Sequence, residues 1–405
     1  MTILIITPRI PYPPFRGDKL KIYNIAKNLS YNNSIKILTF FRNTKQLKDL
    51  EKLVKLGIQV EAVKLTLIRS IFNLINTLFL KIPFQVAWFK SGKMKKKIEE
   101  EISKKKYDVI YFHLIRSAQY LNVDRGSNNY KSLKVLDFTD AVSLYLSRFA
   151  DVERNIFKKL VIKFEAKRIK SYEKIAENFN TVFICSVKDK NYLISQGLNA
   201  NIKMLNNGID TDYFKPTNVD YRKNRIIFTG NMPYYANYDA AIYFTKEIFP
   251  KILKEIPEAE FYIVGQKPPL KIKSLSSKNI FVTGFVPDIK TEYLKSAVNV
   301  APMRFGAGTL NKVLESIALG VPIVATSITV EGLQPELKKY IYIANNSNEF
   351  SHLVIEVLKN PGLHKELLKE GQTVIKELLS WEKIVSKFEK DLEVEIKINT
   401  ENHHH

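Results

Sequence analysis

The sequence predicts two doubly wound α/β domains. Short apolar segments of strand length alternate with longer segments of helical periodicity along nearly the whole chain, which is typical of parallel sheets with crossover helices. A turn-rich stretch at 206–216 interrupts this alternation, and a second α/β series follows it. These observations place an N-terminal domain at 1–205 and a C-terminal domain at 206–379. The last helix, at about 380–397, is expected to pack back on the N-terminal domain.

Composition indicates an ordinary globular protein. The chain has 405 residues, of which 45% are hydrophobic and 26% charged, enough for two or three domains. Its one cysteine, Cys185, excludes an intramolecular disulfide framework and fits a reducing compartment. The apolar start Ile3–Ile6 is too short and too poorly flanked for a signal peptide. We therefore expect a cytoplasmic protein, and we interpret His403–His405 as the remnant of a purification tag.

Charge is distributed unevenly between the two halves. Residues 1–205 hold 38 Lys and Arg against 17 Asp and Glu, whereas residues 206–405 hold 25 against 24. A basic half joined to a nearly neutral half implies an anionic partner. No RNP pattern, zinc finger or helix-turn-helix signal accompanies the charge, so nucleic acid is the weaker candidate. We expect an anionic membrane surface as the partner and no nucleic acid.

The first predicted strand, Ile3–Thr7, leads into a Pro- and Gly-rich loop that contains Gly17 and Asp18. A helix is predicted next, at Lys21–Ser30, because its apolar residues recur at helical spacing. Loops at the carboxyl ends of strands bind ligands in open α/β sheets, so this loop is a candidate site. It lacks G-x-G-x-x-G, and a dinucleotide site is not indicated. Further strands of this half are predicted at Ile35–Phe41, Gln59–Leu65, Asp108–His113, Lys134–Asp137 and Thr181–Cys185.

Residues 65–82 have the pattern of an apolar helix with one narrow polar stripe. Arg69, Asn73 and Asn76 form the stripe at i, i+4 and i+7, and they argue against a membrane-spanning helix. An aromatic pair and several lysines follow: Trp88, Phe89, Lys90, Lys93, Lys95, Lys96 and Lys97. This combination suits shallow insertion into an anionic bilayer. A core helix with a solvated lysine face is an equally weighted alternative.

A histidine, His113, ends a predicted strand, with Arg116 just beyond it and Asp140 after the next strand. If the sheet is parallel, His113 faces the same edge as the Gly17 loop. A lone histidine is more often structural than catalytic, but this position favours a functional role.

A long basic helix is predicted at Asp151–Glu177. Its large apolar residues are expected to face inward: Phe157, Leu160, Val161, Phe164, Ile169 and Tyr172.

Glycines follow three predicted strands of the second half. Strand Arg225–Thr229 is followed by Gly230 and Asn231, and strand Glu260–Val264 is followed by Gly265. Strand Asn279–Thr283 is followed by Gly284, Phe285 and Val286. A helix is predicted at about Asp239–Ile256, between the first two of these strands, and a last strand at Tyr340–Ala344.

The stretch Val298–Thr326 is the most informative part of the chain. A buried strand, Val298–Ala301, is followed by Gly306 and Gly308, and helical periodicity begins at about Thr309. The helix is expected to end at Gly320, before Pro322 and a strand at Val321–Ala325. Glycines let backbone N–H groups approach a ligand at the positive end of a helix.

Three polar residues of this helix lie at i, i+3 and i+6, away from its apolar face. Thr309 and Lys312 offer an anion a hydroxyl and an ammonium group, and Glu315 offers sugar hydroxyls a carboxylate. The alternative is a glycine turn before a helix with a solvated Lys–Glu pair, since such loops are common.

Two parallel-sheet domains with this linker and this helix resemble glycosyltransferase family 4, a group of retaining sugar transferases. The resemblance implies the GT-B fold, in which two Rossmann-like domains face each other across a cleft. The resemblance covers nearly the whole chain. The linker Asn207–Pro216 is similar to the family's Asn-Gly-Val-Asp…Phe…Pro segment, and later blocks match at Phe261–Gly265, Gly284–Val286, Glu315, Ala318, Gly320 and Pro322. A subgroup linked to bacterial exopolysaccharide clusters is similar at Asp137, Asp140, Ser143, Gly308, Asn311, Lys312 and Glu315.

The resemblance implies a nucleotide-diphosphate sugar as donor and assigns catalytic roles to His113, Lys312 and Glu315. Glu315 would hold the ribose hydroxyls, and His113 would lie beside the donor sugar. The remaining donor-binding candidates are Gly17, Gly230, Asn231, Gly265, Gly284, Phe285, Val286, Arg304, Gly306, Gly308 and Thr309. Within this set, backbone groups near Gly284–Val286 would meet the nucleobase, and the helix start with Gly17 would meet the diphosphate. Asp18, Arg116 and Asp140 are assigned to the acceptor side.

No cofactor and no metal ion is expected, since the retaining family lets the leaving phosphate take the acceptor proton. Asp210–Asp212 has an Asp-x-Asp spacing, but in this linker we interpret it as a turn.

The sequence departs from the family at two places. The family pairs two glutamates eight positions apart, and the first would fall at Ala307. The usual Arg and Lys after the first strand of the second domain are absent around Gly230 and Asn231. We therefore expect Lys312, with Arg304 as a second candidate, to meet the diphosphate. The base and the sugar of the donor stay open.

The leading interpretation is a cytoplasmic glycosyltransferase, peripheral on the inner face of the cell membrane. Its partners would be a nucleotide sugar and a lipid-linked or polysaccharide acceptor in cell-surface glycan synthesis. A GT-B sugar-nucleotide epimerase is an alternative, although the acid/base carboxylates that it needs are not evident. A non-catalytic partner subunit at the membrane is another, and Ala307 is its best support.

Overall fold

The computed structural model describes residues 1–77, 82–124, 132–360, 362 and 365–401. The chain divides into two compact units, one formed by Met1–Asn206 with Trp381–His405 and the other by Asn207–Ser380. We call them unit 1 and unit 2. Each contains a parallel β-sheet with crossover helices, so the predicted fold of two doubly wound, Rossmann-like units is confirmed.

The elements alternate between strands and helices along the described chain. The first half contains β1 (Thr2–Ile6), α1 (Gly17–Leu29), β2 (Ser34–Phe41), α2 (Leu50–Val54), β3 (Gln59–Lys64), α3 (Leu67–Asn76), α4 (Phe84–Ala87), α5 (Gly92–Lys104), β4 (Val109–His113), β5 (Leu133–Thr139), α6 (Val142–Val152), α7 (Ile156–Glu173), β6 (Thr181–Ile184), α8 (Val187–Ser195) and β7 (Ile202–Met204). The second half contains β8 (Arg222–Thr229), α9 (Tyr235–Tyr243), α10 (Phe249–Glu255), β9 (Glu260–Val264), α11 (Leu270–Lys273), β10 (Ile280–Gly284), α12 (Ile289–Leu294), β11 (Ser296–Ala301), α13 (Asn311–Leu319), β12 (Ile323–Ala325), α14 (Ser327–Val330), β13 (Tyr342–Ile343), α15 (Ser347–Lys359), α16 (Lys365–Leu379) and α17 (Trp381–Glu401). Short 3-10 helices lie at Thr44–Asp49, Ala118–Asp124, Lys174–Asn178 and Pro335–Tyr340, and a π-helical turn lies at Phe244–Ile248.

The sheet of unit 1 has the strand order β3-β2-β1-β4-β5-β6-β7, and all its pairs are parallel. Its central strands are almost entirely apolar because helices cover both faces of such a sheet. The direction of winding reverses at β1, which pairs with β2 on one side and β4 on the other. Thr7 and His113, at the carboxyl ends of β1 and β4, therefore lie at the switch point where doubly wound sheets bind ligands.

Helix α17 completes unit 1, although it is the last element of the chain. The Phe388 ring packs edge-on against Phe183, with 4.9 Å between centroids, and against Tyr111 at 5.8 Å. The Glu395 carboxylate accepts a hydrogen bond from Thr181 at 2.6 Å.

The sheet of unit 2 has the order β10-β9-β8-β11-β12-β13 and is also parallel. Its switch point lies between β8 and β11, so the loops after these strands are neighbours. Helix α13 follows the second loop and buries Val313, Leu314 and Ile317. It ends at Gly320, whose φ of +69° is the left-handed conformation predicted for this glycine.

The helix predicted at 65–82 is shorter, and of its polar side chains Ser70 is buried, Asn73 is half-buried, and Arg69 and Asn76 are exposed. Helix α3 ends at Asn76, and the predicted continuation over 78–81 lies outside the described residues. The Asn73 side chain donates to the Lys90 carbonyl at 2.9 Å, while the apolar remainder is exposed: Leu67, Ile68, Ile71, Phe72 and Ile75. The alternative of a core helix is therefore wrong.

The helix predicted at Asp151–Glu177 is interrupted after Val152, and α7 is turned differently from the prediction. Ile169 is buried as expected, but four residues expected to face inward are more than half exposed: Phe157, Leu160, Val161 and Phe164. The reason is that α7 buries Glu165 and Arg168, which bond to the chain after α3. No helix among the described residues is long and apolar enough to cross a membrane.

Candidate functional site

Lys312 is the best-defined candidate in unit 2, and it is buried, with only 7% of its surface exposed. The second residue of α13, it donates from Nζ to the Asn237 Oδ1 atom at 2.8 Å and lies 4.1 Å from the centroid of the Phe228 ring. Burial lowers the pKa of Lys312 to about 7, and nearby Glu315 opposes this. The alternative of a solvated Lys–Glu pair is wrong for Lys312, because β8 and α9 cover it.

Glu315 is one turn further along α13, and a buried tyrosine holds it. The Tyr293 hydroxyl donates to the Glu315 Oε2 atom at 2.9 Å and lies 2.6 Å from the Thr229 hydroxyl. Burial raises the pKa of Glu315, whereas Tyr293 and Lys312 lower it. One carboxylate oxygen is therefore fixed by the protein, and the carboxylate is oriented before any ligand arrives.

Arg304 is paired with a carboxylate, unlike Lys312. Its guanidinium makes a two-pronged contact with Asp239, from Nε at 2.8 Å and from Nη2 to the other carboxylate oxygen. The bond to Asp239 raises the pKa of Arg304. A charge that is already compensated attracts an added anion less, so Lys312 is the stronger diphosphate candidate.

The loop before α13 is held by hydrogen bonds at the end that meets the helix. Thr309 precedes the helix, which begins at Asn311, and its hydroxyl donates to the Gly332 carbonyl at 3.1 Å. The Asn207 side chain donates to the Thr309 carbonyl and to Asn311 Oδ1, both at 3.2 Å. The helix start predicted at Gly308–Thr309 is therefore two residues too early. In this loop Gly306 is buried, and Gly308 has a φ of +73°.

Two of the predicted donor-binding glycines pack against each other. A Cβ atom at Gly265 would lie 1.7 Å from the Gly230 carbonyl oxygen, and a Cβ at Gly230 would meet the Asn237 side chain at 2.7 Å. Their N–H groups donate to the carbonyls of Gly284 and Val264, both at 3.0 Å. The sheet therefore explains both glycines. The Asn231 carbonyl accepts from Asn237 at 3.1 Å, which holds this loop against α9.

The segment after β10 presents an exposed ring beside a glycine in an unusual conformation. Gly284 has a φ of +73° in open space, and Phe285 is 55% exposed. Val286 is half-buried against a small apolar cluster that includes Val264. Backbone groups and an exposed aromatic ring are what a flat nucleobase needs, so the geometry is compatible with the predicted role.

His113 is the central candidate in unit 1, where it is 2% exposed. Its Nδ1 atom lies 2.9 Å from the Thr7 hydroxyl, whereas Nε2 is buried and has no hydrogen-bond partner among the described residues. Burial lowers the pKa of His113 to about 4, so the imidazole is neutral near pH 7. A buried polar atom without a partner is costly, and a ligand hydroxyl would satisfy it.

The predicted acceptor-side residues have strongly perturbed acidities. Burial works against the charged form of Asp18, but Arg9, 2.6 Å away, and Arg16 hold the pKa of Asp18 at about 2. Burial is the main cause that raises the pKa of Asp140 to about 7, and the nearby Asp189 carboxylate adds to it. Burial lowers the pKa of Arg116 to about 10. Groups with shifted pKa values cluster at functional sites.

Gly17 and Asp18 lie in the first turn of α1, and not in the preceding loop as predicted. A Cβ atom at Gly17 would meet open space. Packing within the described chain therefore does not require a glycine there.

Two residues named with the subgroup resemblance are structural. Asp137, fully buried, accepts from Lys21 at 2.9 Å and from the Tyr111 hydroxyl at 2.6 Å. Ser143 donates to Glu173 at 2.5 Å.

Asp210 Oδ1 accepts from two backbone N–H groups of its own turn, as interpreted from the sequence. No group of three or more His, Cys, Asp or Glu side chains in the described part of the chain could hold a metal ion.

Sequence reasoning missed the residues that position the candidates. They are Thr7 beside His113, Asn237 beside Lys312, Asp239 beside Arg304, and Tyr293 beside Glu315. Only Thr7 had an available signal, because it ends a strand next to β4 in any sheet with this order. The other three lie far along the chain from the groups that they contact.

Part of the chain matches a known protein family. Residues 223–360 match the family described as Glycosyl transferases group 1. A Klebsiella pneumoniae protein, described as an uncharacterized 44.6 kDa protein in cps region, is 24% identical over 404 residues, and the alignment covers 96% of this chain and 99% of the relative.

Solved structures share the fold over nearly the whole chain. HepE of Anabaena in complex with UDP and glucose has a TM-score of 0.69 at 15% identity, covering 97% of this chain and 99% of its own. HepE in complex with UDP-glucose has a TM-score of 0.69 at 14% identity, covering 97% and 100%. Sucrose-phosphate synthase from Thermosynechococcus elongatus has a TM-score of 0.68 at 13% identity, covering 96% and 98%. The chain therefore has the fold of GT-B glycosyltransferases and carries at 223–360 a glycosyl transferases group 1 domain, which indicates a glycosyltransferase.

Proposed function

We propose that the protein is a retaining glycosyltransferase that moves a sugar from a nucleotide-diphosphate sugar to a lipid-linked or polysaccharide acceptor. The observation that carries this proposal is the buried Lys312 ammonium, which is bonded to an amide oxygen and lies at the start of α13. The group 1 domain supports transfer chemistry, and the UDP and UDP-glucose complexes of HepE support a nucleotide-sugar donor. The Klebsiella relative in a cps region favours surface polysaccharide synthesis.

In this proposal, Lys312 stabilises the leaving diphosphate. Negative charge grows on that group as the bond to the sugar breaks, and a preorganised cation in a water-poor site stabilises growing charge most strongly. The first N–H groups of α13 add the positive end of the helix dipole. Glu315, held by Tyr293, accepts hydrogen bonds from the ribose hydroxyls through its remaining oxygen.

His113 contributes orientation. Because its imidazole is neutral, Nε2 can exchange a hydrogen bond with a sugar hydroxyl without adding charge beside the reacting centre. Thr7 fixes the ring through Nδ1. In a retaining transfer of this kind the leaving phosphate itself takes the acceptor proton, so the proposal needs no enzyme nucleophile and no metal ion.

The proposed place of action is the inner face of the cell membrane, where lipid-linked acceptors and nucleotide sugars meet. Unit 1 is where such an acceptor would bind, since it holds the basic half of the chain and the assigned residues Asp18, Arg116 and Asp140.

The test is nucleotide release from a panel of UDP-, GDP-, dTDP- and ADP-sugars, with and without a lipid extract as acceptor. Release that depends on both donor and acceptor, with sugar transferred in the retained anomeric configuration, is the expected result. Interconversion of sugar nucleotides without acceptor would identify the epimerase alternative. Donor binding absent across the panel would favour the non-catalytic subunit, for which Ala307 in place of the usual glutamate is the supporting observation.

A further inference from the structure

Two helices of unit 1 bury polar side chains against the protein and leave large apolar side chains exposed. On α3 the exposed apolar residues, 46–82% exposed, are Leu67, Ile68, Ile71, Phe72 and Ile75. On α7 the corresponding residues, 53–82% exposed, are Ile156, Phe157, Leu160, Val161 and Phe164. A helix on a protein surface normally has the opposite orientation. Exposed apolar surface concentrated in this way marks an interaction site.

Polar side chains of both helices form hydrogen bonds with the backbone of the same stretch of chain, which follows α3. From α3, Ser70 donates to the Trp88 carbonyl at 3.0 Å, and Asn73 donates to the Lys90 carbonyl at 2.9 Å. From α7, Glu165 accepts from the N–H groups of Phe84 and Gln85 at 3.0 and 3.2 Å, and Arg168 donates to the Thr77 carbonyl at 2.8 Å. Rotating either helix to hide its apolar side would break these hydrogen bonds, so the exposed orientation is built in.

Aromatic contacts join α7 to this same stretch. The Phe164 ring of α7 lies 6.2 Å from the ring of Phe84, and the Arg168 guanidinium lies over both rings, 4.6 Å from Phe84 and 5.2 Å from Phe164. The apolar side of α7 therefore reaches the segment that follows α3. We call the ten exposed residues of α3 and α7 the apolar surface.

Charge around the apolar surface is positive. The exposed charged side chains of α7 are Lys158, which pairs with Glu153 at 2.5 Å, and the three further lysines Lys163, Lys167 and Lys170. Both acidic residues of this helix, Glu165 and Glu173, are buried. Beside α3, Arg69 and Lys90 line a cavity of about 470 Å³ together with Asn73 and Asn76. Lysine is depleted in protein–protein interfaces, whereas large apolar side chains rimmed by lysines suit an anionic lipid surface.

We propose that α3 and α7 together insert their apolar surface into the headgroup region of an anionic bilayer, with lipid phosphates at Arg69, Lys90 and the α7 lysines. The inference rests on the proposed function only in that a lipid-linked acceptor places the enzyme at a membrane. Binding through this surface requires neither donor nor acceptor, so it can be measured independently of catalysis.

The experiment is sedimentation of the full chain with phosphatidylcholine vesicles, alone or mixed with phosphatidylglycerol, over a range of salt concentrations. Two double variants remove apolar groups from each helix, Phe157→Ser with Leu160→Ser and Ile68→Ser with Phe72→Ser. Leu270→Ser, at a residue of unit 2 that is 83% exposed, is the matched control. Thermal unfolding of each variant checks that it folds.

We expect the protein to bind the anionic vesicles and not the neutral ones. Binding should weaken as the salt concentration rises, because lysines supply the attraction. Each double variant should lower the partition coefficient by about tenfold or more, because two large apolar side chains leave the bilayer. Leu270→Ser should bind as the unaltered protein does. Retained binding in both folded double variants would overturn the proposal. Equal binding to neutral vesicles would also overturn it. So would a dimer that either double variant dissociates, because a second copy of the chain would then be the partner of the apolar surface.

These outcomes are separable from those of the transfer assay. A protein that transfers sugar but does not bind vesicles through the apolar surface contradicts this inference alone. One that binds vesicles as described but shows no donor-dependent activity contradicts the proposed function alone.

Discussion

The Lys312 ammonium group and the Asn237 side-chain oxygen are 2.8 Å apart, in a position where the lysine is almost completely buried. An amide oxygen solvates the ammonium without neutralising it, in contrast to the carboxylate that Arg304 meets at Asp239. Lys312 is therefore a buried cation whose charge is available to an anion, whereas Arg304 is a partly exposed cation that is already paired. The predictions for this unit follow from that difference.

The pH dependence of donor use is the first prediction. Burial lowers the pKa of Lys312 to about 7, so the free protein loses this charge as pH rises through that value. We expect kcat/KM for the donor to fall above about pH 7, since kcat/KM reports the ionisation of the free enzyme.

Asn237→Asp tests the origin of that decline. A carboxylate beside the ammonium favours its charged form, so the alkaline limb should move to higher pH while kcat/KM decreases overall. An unmoved limb would show that another group is responsible for it.

Donor affinity should depend on Glu315 and, to a smaller degree, on Tyr293. Glu315→Ala should weaken binding by about 1.5–3 kcal/mol, the range for hydrogen bonds to charged groups. Tyr293→Phe should weaken it by about 0.5–1.5 kcal/mol, because it removes only the hydroxyl that orients the carboxylate. Calorimetric titration of the nucleotide measures both, with the exposed Glu336→Ala as control. Unchanged affinity in folded Glu315→Ala would remove the ribose assignment.

Acid stability should depend on His113. Burial lowers its pKa to about 4 in the folded state, against about 6.5 in an unfolded chain. As pH falls below about 6.5 the unfolded chain binds the proton first, so stability is lost progressively until the folded pKa is passed. Between pH 7 and 5 this should cost about 2 kcal/mol of the free energy of unfolding. Urea titrations at the two pH values should show a correspondingly smaller loss in His113→Gln.

Asp137 should contribute to the free energy of unfolding. Asp137→Asn leaves the Lys21 ammonium, which is 1% exposed, without its carboxylate. Removing one partner of a buried ion pair typically costs about 3–5 kcal/mol. Tyr111→Phe removes one hydrogen bond to the same carboxylate and should cost about 1.5–3 kcal/mol. Urea unfolding measures both, and equal losses would contradict the ranking.

The sequence predicted the sheets well because their evidence is local. Strand Glu260–Val264 has the predicted bounds, and Gly320 has the predicted left-handed conformation. Apolar runs and helix-ending glycines reflect interactions within a few residues, so one sequence reveals them.

Orientation was harder to predict because it depends on distant residues. The apolar spacing of α7 is genuine, but periodicity does not tell whether an apolar side meets a core or solvent. The bonds from Glu165 and Arg168 to the chain after α3 decide that. A solvated Lys312 stayed open as an alternative because Asn237 and Phe228, which cover it, are many residues away. Gly230 was interpreted as a ligand contact, whereas the nearby Asn237 and Gly265 account for it.

The most direct test of the account compares turnover at saturating donor in Lys312→Ala and Arg304→Ala. If Lys312 meets the leaving diphosphate as proposed, its loss should act on the transition state more than on ground-state binding. Turnover should fall by about 100- to 1000-fold in Lys312→Ala, the usual effect of losing one such contact, with only a modest rise in donor KM. Arg304→Ala should lower turnover less. Normal turnover in Lys312→Ala, or a larger loss in Arg304→Ala, would contradict the assignment and place the diphosphate elsewhere.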